Sequence, residues 1–342
     1  MMKAAQLVEI GKDLEIRDVP KPEIRKNEVL VKVKAAGICR SDLHYKNGTS
    51  LVGKLPITLG HEVSGIVEEM GRGCSKFKKG DRVCIHYLIT CGDCYFCNTG
   101  SEQFCQKGKM IGKHVNGGFA EYIRVPERNL FPLPPEISFE EGAVMMCSSA
   151  TAFHAMSKVG SIIGKEVAIF GIGGLGASAV QLAQIFGART VYAVDVDESK
   201  LELAKIYNAI PINAKKEDPV QKIKELTDGG ANISFEFIGL PLTVKQALDC
   251  LCVHGKMVHV GICNTQVSLN PYHDILLKEA EIIGCADHLR QELPVLINLA
   301  QTRRFDVSKL ITEKIPFWKI NEGIKQLETN KGSPIRIVVG ME

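Results

Sequence analysis

The sequence predicts an α/β protein in which a doubly wound parallel sheet is set into a β-rich domain. Between about residues 149 and 285, apolar runs at 166–170, 190–194, 233–237, 256–260 and 281–285 alternate with helical stretches, the pattern of parallel strands joined by crossover helices. The first of these runs ends in a glycine cluster that opens a further apolar helical stretch, Ala177 to Phe186. The flanks read differently: short period-two strands and glycine turns come before 149, and two helices and a last strand follow 286. These shifts place one domain at 1–148 and 287–342, with the tail expected to return to it, and a second at 149–286.

The length of 342 residues leaves room for two cores. An apolar content of 45% and a charged content of 24% are ordinary for a globular chain. The net charge of +3 is small and dispersed, which argues against a nucleic-acid or anionic-membrane partner. No apolar run reaches the length of a membrane span, and Met1-Met-Lys-Ala-Ala-Gln6 lacks the apolar stretch of a secretion signal. A cytoplasmic location is therefore expected. Its twelve cysteines are then read as metal ligands and small core residues rather than disulfides.

In chain order, residues 1–38 read as short strands; 28–37 alternates at period two after the polar turn 21–27. Gly37 to His44 is dense in chemistry, and Pro56 to Gly65 opens another apolar run. Lys78 to Cys84 reads as a turn entering a strand, Gly117 to Val125 as a strand after a glycine turn, and the proline-rich 126–135 as loop. Ser138-Phe-Glu-Glu141 has capping-box form for a helix leading to Cys147. After the parallel-sheet segment, 288–301 and 319–328 read as helices and 335–339 as a strand.

The glycine cluster is Gly171-Ile-Gly173-Gly174-Leu175-Gly176, and the next strand ends in Asp195 about twenty residues later. Strand, glycines, helix and acid in that order form the dinucleotide fingerprint. Gly171 permits the tight turn, Gly173 and Gly174 let a pyrophosphate approach the backbone, and Gly176 lets helix and strand pack closely. The helix N-terminus presents unpaired N–H groups to the phosphates. Asp195 suits the ribose hydroxyls and repels a 2′-phosphate, so the pattern points to NAD rather than NADP.

Cys91, Cys94, Cys97 and Cys105 place four thiols within fifteen residues. Four thiolates can enclose a zinc ion with no coordination position left over, as in a structural site; an iron–sulfur cluster is the rival occupant. Cys39, His61 and Cys147 lie far apart, and each taken alone reads as a core residue. Zinc can also be held by two cysteines and a histidine with a fourth position open to a reacting ligand.

The motifs Gly37-Ile-Cys39-x-Ser41-Asp42-x-His44, Gly60-His61-Glu62-x-x-Gly-x-Val-x-x-x-Gly71, the four-cysteine loop and the glycine turn together resemble the zinc-dependent medium-chain alcohol dehydrogenase family, across essentially the whole chain. The resemblance implies a GroES-like catalytic domain and a Rossmann cofactor domain, with the reaction cleft between them. It implies two zinc ions per subunit and NAD. Cys39, His61 and Cys147 would hold the catalytic zinc, with Glu62 close to it and Asp42 orienting the His61 ring. Ser41 and His44 would form a proton relay. Arg40 and Arg336 fall at pyrophosphate-contacting positions, Lys200 at the ribose lysine, and Thr151, Val260 and Ile262 at cofactor-side positions. Leu51, Tyr87, Ile262 and Ser41 are expected to line the substrate pocket. The implied reaction is the interconversion of a primary or secondary alcohol with its aldehyde or ketone, in a homotetramer. Rival readings are a zinc polyol or threonine dehydrogenase, a zinc-independent quinone or enoyl reductase using NADPH, and a catalytically silent protein that kept the fold.

Overall fold

The structure is a computed structural model that describes residues 1–341. It divides into two compact units: Met1–Ala150 together with the segment from His288 onward, and Thr151–Asp287. Among the described residues no helix is long and apolar enough to cross a membrane.

The first unit is built on strand Glu28–Ile38. Its valines at 29, 31 and 33 are buried while Lys32 and Lys34 are half-exposed, and from Ala35 to Ile38 every residue is buried. Alternation thus gives way to a fully enclosed strand end. Strands Glu62–Met70 and Arg336–Gly340 flank it antiparallel, Arg82–Ile85 and Leu130–Pro132 extend one side, and Ile311–Pro316 the other. Tyr122–Pro126 pairs with its first half. The core against this sheet includes Val31, Val33, Ile38, Leu43, Val63, Phe119, Ile324 and Val339, and also Cys39, Cys147 and Tyr87. Residues after 288 therefore complete the sheet begun by residues 28–38.

The second unit is a parallel sheet in the order Ile210–Asn213, Thr190–Asp195, Glu166–Phe170, Ala231–Glu236, Leu251–His259, Glu281–Gly284. Its first strand lies in the middle, so successive strands turn outward to both sides, as the Rossmann order requires. Glu166–Phe170 is buried throughout. Helix Gly174–Ile185 follows at once, with Gly173 as its N-cap.

Three sequence expectations need correction. The segment 126–135 is not all loop: Leu130–Pro132 forms a strand, because its register against Arg82–Ile85 buries Leu130 and Phe131. Two strands, Ile210–Asn213 and Ile311–Pro316, have no counterpart in the sequence reading. Each is short and carries a proline, a residue that weakens a strand signal. Residues 288–301 begin with a 3-10 turn at Arg290–Glu292, and the α-helix proper is Leu293–Gln301.

The glycine turn shows why its residues are fixed. Gly171 has φ +90°, a conformation disfavoured for other residues, and a Cβ on Gly176 would stand 1.8 Å from the Gly171 carbonyl oxygen. Gly176→Ala is therefore expected to destabilise this unit by about 3 kcal/mol, lowering the thermal midpoint by roughly 10 °C. Scanning calorimetry of the variant checks this, and an unchanged midpoint would mean the turn tolerates the methyl group.

Candidate functional site

The first cluster forms where strand Glu28–Ile38 ends. Cys39 follows it and caps helix Arg40–Lys46. In that helix's first turn lies the fully buried Asp42, whose Oδ2 accepts the Cys39 backbone N–H at 2.9 Å and whose Oδ1 accepts the Gly60 N–H at 3.2 Å. One carboxylate thereby ties together the two turns that carry Cys39 and His61. Asp42 Oδ1 also lies 3.5 Å from His61 Nδ1, an ion-pair distance that is long for a hydrogen bond. Edge-on contact with the Tyr87 ring, centroids 5.2 Å apart, borders the imidazole as well.

Glu62 opens the next strand directly across from Gly37. A Cβ at position 37 would meet Glu62 Oε2 at 2.1 Å, so the glycine makes the space that the carboxylate occupies. On the other side of the same strand, Val338 also pairs with Gly37, and Arg336 is two residues before it on the same face. Its guanidinium reaches over the gap: Nη2 lies 3.3 Å from Glu62 Oε1 and 3.9 Å from Cys39 Sγ. Cys147 arrives on a helical run that Ser138 and Glu141 open with the expected reciprocal capping bonds. Around Cys147 that run widens into a π-turn, Met145–Ser149, a distortion that recurs at functional sites.

One donor atom from each of Cys39, His61, Glu62 and Cys147 lies within 4.8 Å of the others, and all four residues are buried. Their electrostatics make an incomplete set. Sharing a proton with Cys147, and the cations Arg336 and His61, lower the Cys39 thiol well below its ordinary value against the opposing effect of burial. The same shared proton, and burial, raise Cys147 well above it. Burial pushes the Glu62 carboxyl up to about 8 although Arg336 pulls it back. Burial also acts to lower His61, but the charge of nearby Asp42, with that of Cys39, outweighs it and raises the imidazole. Ionised as metal ligands would be, the two thiolates and the Glu62 carboxylate join the buried Asp42 carboxylate against the Arg336 guanidinium, His61 being neutral as a ligand. The pocket then lacks positive charge, and such a deficit is costly away from water. Both Glu62 oxygens and His61 Nδ1 are buried without a hydrogen-bond partner in the described structure. Sulfur, nitrogen and oxygen donors converging with that charge deficit fit a zinc ion.

The second cluster is Cys91, Cys94, Cys97 and Cys105. Sulfur separations are 3.5 Å for Cys91–Cys105, 3.5 Å for Cys94–Cys97 and 3.9 Å for Cys91–Cys97. Four thiolates arranged tetrahedrally about one zinc lie about 3.8 Å apart, given Zn–S bonds of about 2.3 Å. Backbone N–H groups of Gly92 and Cys91 donate to Cys97 Sγ and Cys105 Sγ at 3.3 and 3.4 Å, the kind of support that orients metal ligands. All twelve cysteines are free thiols.

In the second unit a Cβ on Gly173 would meet nothing within 4 Å. The glycine there is not demanded by the protein's own packing, and it leaves the helix N-terminus open to a ligand. Asp195 stands beside it: Oδ2 accepts the Ile172 N–H at 2.7 Å, and Oδ1 accepts those of Val196 and Asp197 at 2.7 and 3.0 Å. The carboxylate that marks the second strand is thus bonded to the backbone of the glycine turn.

Residues 25–135 match the alcohol dehydrogenase GroES-like domain, and residues 174–302 match the zinc-binding dehydrogenase family. The chain belongs to the zinc-dependent medium-chain alcohol dehydrogenase family. It is 37% identical to an alcohol dehydrogenase of Geobacillus stearothermophilus over 324 residues, 94% of each chain. A NAD-dependent alcohol dehydrogenase of Sulfurisphaera tokodaii is 33% identical, over 99% of this chain and all of that one. Among solved structures, the 2R,3R-butanediol dehydrogenase of Bacillus subtilis superposes with a TM-score of 0.92 at 31% identity, covering 100% of both chains.

The other residues singled out from sequence are spread over both units. Ser41 is half-buried, its Oγ 3.7 Å from Cys39 Sγ, and His44 lies one helical turn further on. Burial, then the Arg40 charge, lowers His44 against the opposing charge of Cys39. Arg40 is exposed, Thr151 and Lys200 are buried, and Val260 is half-buried. Leu51 and Ile262 stand 78% and 53% exposed, whereas Tyr87 is buried against His61. Arg336, expected from sequence at a pyrophosphate, is buried with its Nη2 beside Glu62 and Cys39, while its Nε has no partner within the described chain. Gly37 escaped the sequence reading as a site residue. Its signal is a glycine inside an apolar strand, which marks a close approach.

Substituting Cys97→Ser removes one of the four sulfurs. The variant is expected to lose about one zinc per chain relative to the parent and to melt lower. Metal analysis with thermal melting checks this; parental zinc content would rule out the quartet as a metal site.

Proposed function

We propose that this chain is a zinc- and NAD-dependent dehydrogenase interconverting a small to medium, largely apolar primary or secondary alcohol and its aldehyde or ketone. The observation that carries the reading is the buried pocket in which donor atoms of Cys39, His61, Glu62 and Cys147 converge, with Arg336 beside them. When bound there, zinc supplies a Lewis acid for the alcohol oxygen, and NAD supplies the acceptor for the hydride.

The chain's own residues do the rest. Cys39, His61 and Cys147 are the ligands, and Asp42 fixes the position of His61 by holding both turns. Glu62, held by Arg336, is the carboxylate beside these ligands, as a neighbour or a transient ligand of a bound zinc. Ser41 Oγ takes the alcohol proton, and His44, which shares its helix face, passes it to solvent. The lowered basicity of His44 keeps its imidazole neutral and able to accept that proton near pH 7. The turn from Gly171 through Gly173, Gly174, Leu175 and Gly176 receives the pyrophosphate, with Arg40 and Arg336 Nε as its cationic contacts. Asp195 and Lys200 serve the ribose, and Thr151, Val260 and Ile262 serve the nicotinamide side. Tyr87, Ser41, Leu51 and Ile262 shape the substrate pocket. Likeness to a butanediol dehydrogenase supports a diol or polyol as the second reading.

We assign the protein to the cytoplasm, in keeping with its free thiols, and to a homotetramer. Support for an oligomer comes from exposed Tyr272, Leu276, Leu277 and Ile282 at and near the edge strand Glu281–Gly284.

A panel of alcohols, diols, sorbitol and threonine, followed by NADH absorbance, tests the activity. Turnover is expected with at least one apolar alcohol, is abolished by a chelator, and is absent in a folded Cys39→Ser variant. Full activity in that variant would place the chemistry elsewhere. Asp195→Ala is expected to lower the NAD:NADP ratio of kcat/KM at least about tenfold; an unchanged ratio removes Asp195 from cofactor selection.

A further inference from the structure

Between the two cysteine-bearing clusters lies a buried polar group that the chemistry above does not use. Glu102 sits inside the four-cysteine loop, three residues before Cys105, and is buried. Its Oε2 accepts the Thr90 hydroxyl at 2.9 Å and its Oε1 accepts the Arg290 backbone N–H at 2.9 Å. Arg128 Nη2 stands 3.6 Å from Oε2, and His86 Nε2 stands 3.9 Å from Oε1. The other nitrogen of that imidazole, His86 Nδ1, is 3.0 Å from His288 Nε2. Both histidines are almost fully enclosed.

The rings continue toward the metal pocket. Tyr87 is packed edge-on against His288 on one side, centroids 5.1 Å apart, and against His61 on the other, at 5.2 Å. A chain of neighbouring groups therefore runs from the four-cysteine loop through Glu102, His86, His288 and Tyr87 to His61, its first link, 3.9 Å long, being electrostatic rather than a hydrogen bond. Asn129 fixes the backbone of this path, its Nδ2 donating to the carbonyls of His86 and Leu88 at 2.7 and 2.8 Å.

Charge sets the direction of the hydrogen bond. Burial, then Arg290 and Arg128, lowers His86 to about 3, so the ring is neutral and carries one N–H. The Glu102 carboxylate favours that proton on the nitrogen facing it, Nε2. Nδ1 is then the acceptor, and His288 Nε2 is the donor. Reversing the charge bias at Glu102 reverses or weakens this bond and releases the face of Tyr87 that His288 holds.

We propose that Glu102 is a positioning residue for the catalytic pocket: from within the four-cysteine loop it orders the His86–His288 pair, which holds Tyr87 against the His61 ring. This rests on the dehydrogenase reading for its catalytic consequence, but not for its structural one. The loop then has a second task besides local stability, since a metal bound to its cysteines would keep Glu102 in place.

The test is histidine-ring NMR of the zinc-loaded protein carrying 15N-histidine, assigned by single substitutions among its nine histidines. In Glu102→Gln, the His86 and His288 ring signals are expected to show a changed tautomer, and those of His61 are expected to shift with them. Zinc content should stay at the parent's value, and kcat should fall by roughly threefold to thirtyfold, the range of indirect coupling. Glu279→Gln, beside the exposed His254, should leave His61 unmoved. If Glu102→Gln does not fold, His288→Phe keeps a ring against Tyr87, removes the bond to His86, and should shift His61 likewise. His61 signals that superimpose on the parent's while His86 and His288 move would overturn the proposal, as would a His61 shift that appears only in step with zinc loss from the cysteine loop. If the parent turns over no alcohol, the dehydrogenase reading falls, and the ring signals still decide the coupling.

Discussion

Unpaired negative charge is the constraint around which the first unit is built. Cys39, Cys147 and Glu62 converge on one enclosed point, and Arg336 is the guanidinium that meets them. Apolar packing cannot relieve such a pocket, because burying unbalanced charge costs far more than a few side-chain contacts return. A dication relieves it, and the surrounding structure is arranged for one. Gly37 leaves a flat place in the central strand where carboxylate and guanidinium meet across it. Asp42 ties two turns that are distant in sequence, and the π-turn adjusts the helix that carries Cys147.

The four-cysteine loop solves a different problem. Its sulfurs are close to tetrahedral spacing, and its short helix Tyr95–Asn98 has no buried residue. Such a segment has little apolar surface with which to order itself, so metal bonds substitute for a core. Its neighbour Glu102 also receives Arg290 from the returning chain, while the Arg290 guanidinium lies over Phe131 and donates to the Arg128 carbonyl. The loop is thereby joined to the segment that completes the sheet.

Sequence was most informative where the chemistry is local. Gly171 to Gly176 with Asp195, and the cysteines at 91, 94, 97 and 105, announce themselves because a turn or a metal cage needs particular residues at short, fixed spacings. The capping box at Ser138 is legible for the same reason. Cys39, His61 and Cys147 were legible as a set through the resemblance, since three isolated ligands carry no spacing of their own. What was hidden depends on register between distant strands. Nothing near Arg336 in the chain says that it reaches across Gly37 to Glu62. His86 and His288 are separated by 202 positions, and each by itself looks like an ordinary core histidine. The strands Ile210–Asn213 and Ile311–Pro316 each carry a proline that weakens the strand signal, and their pairing partners define them.

The insertion of residues 151–287 into the first unit also has a temporal side. A ribosome delivers the turns bearing Cys39 and His61 and the cysteine loop early, then an entire uninterrupted parallel-sheet unit, and only afterwards the strand bearing Arg336. During that interval Glu62 is without its guanidinium, and Glu102 is without the Arg290 backbone. The nascent first half therefore carries its thiol and carboxylate pocket without a guanidinium until the residues made last supply the closing strand.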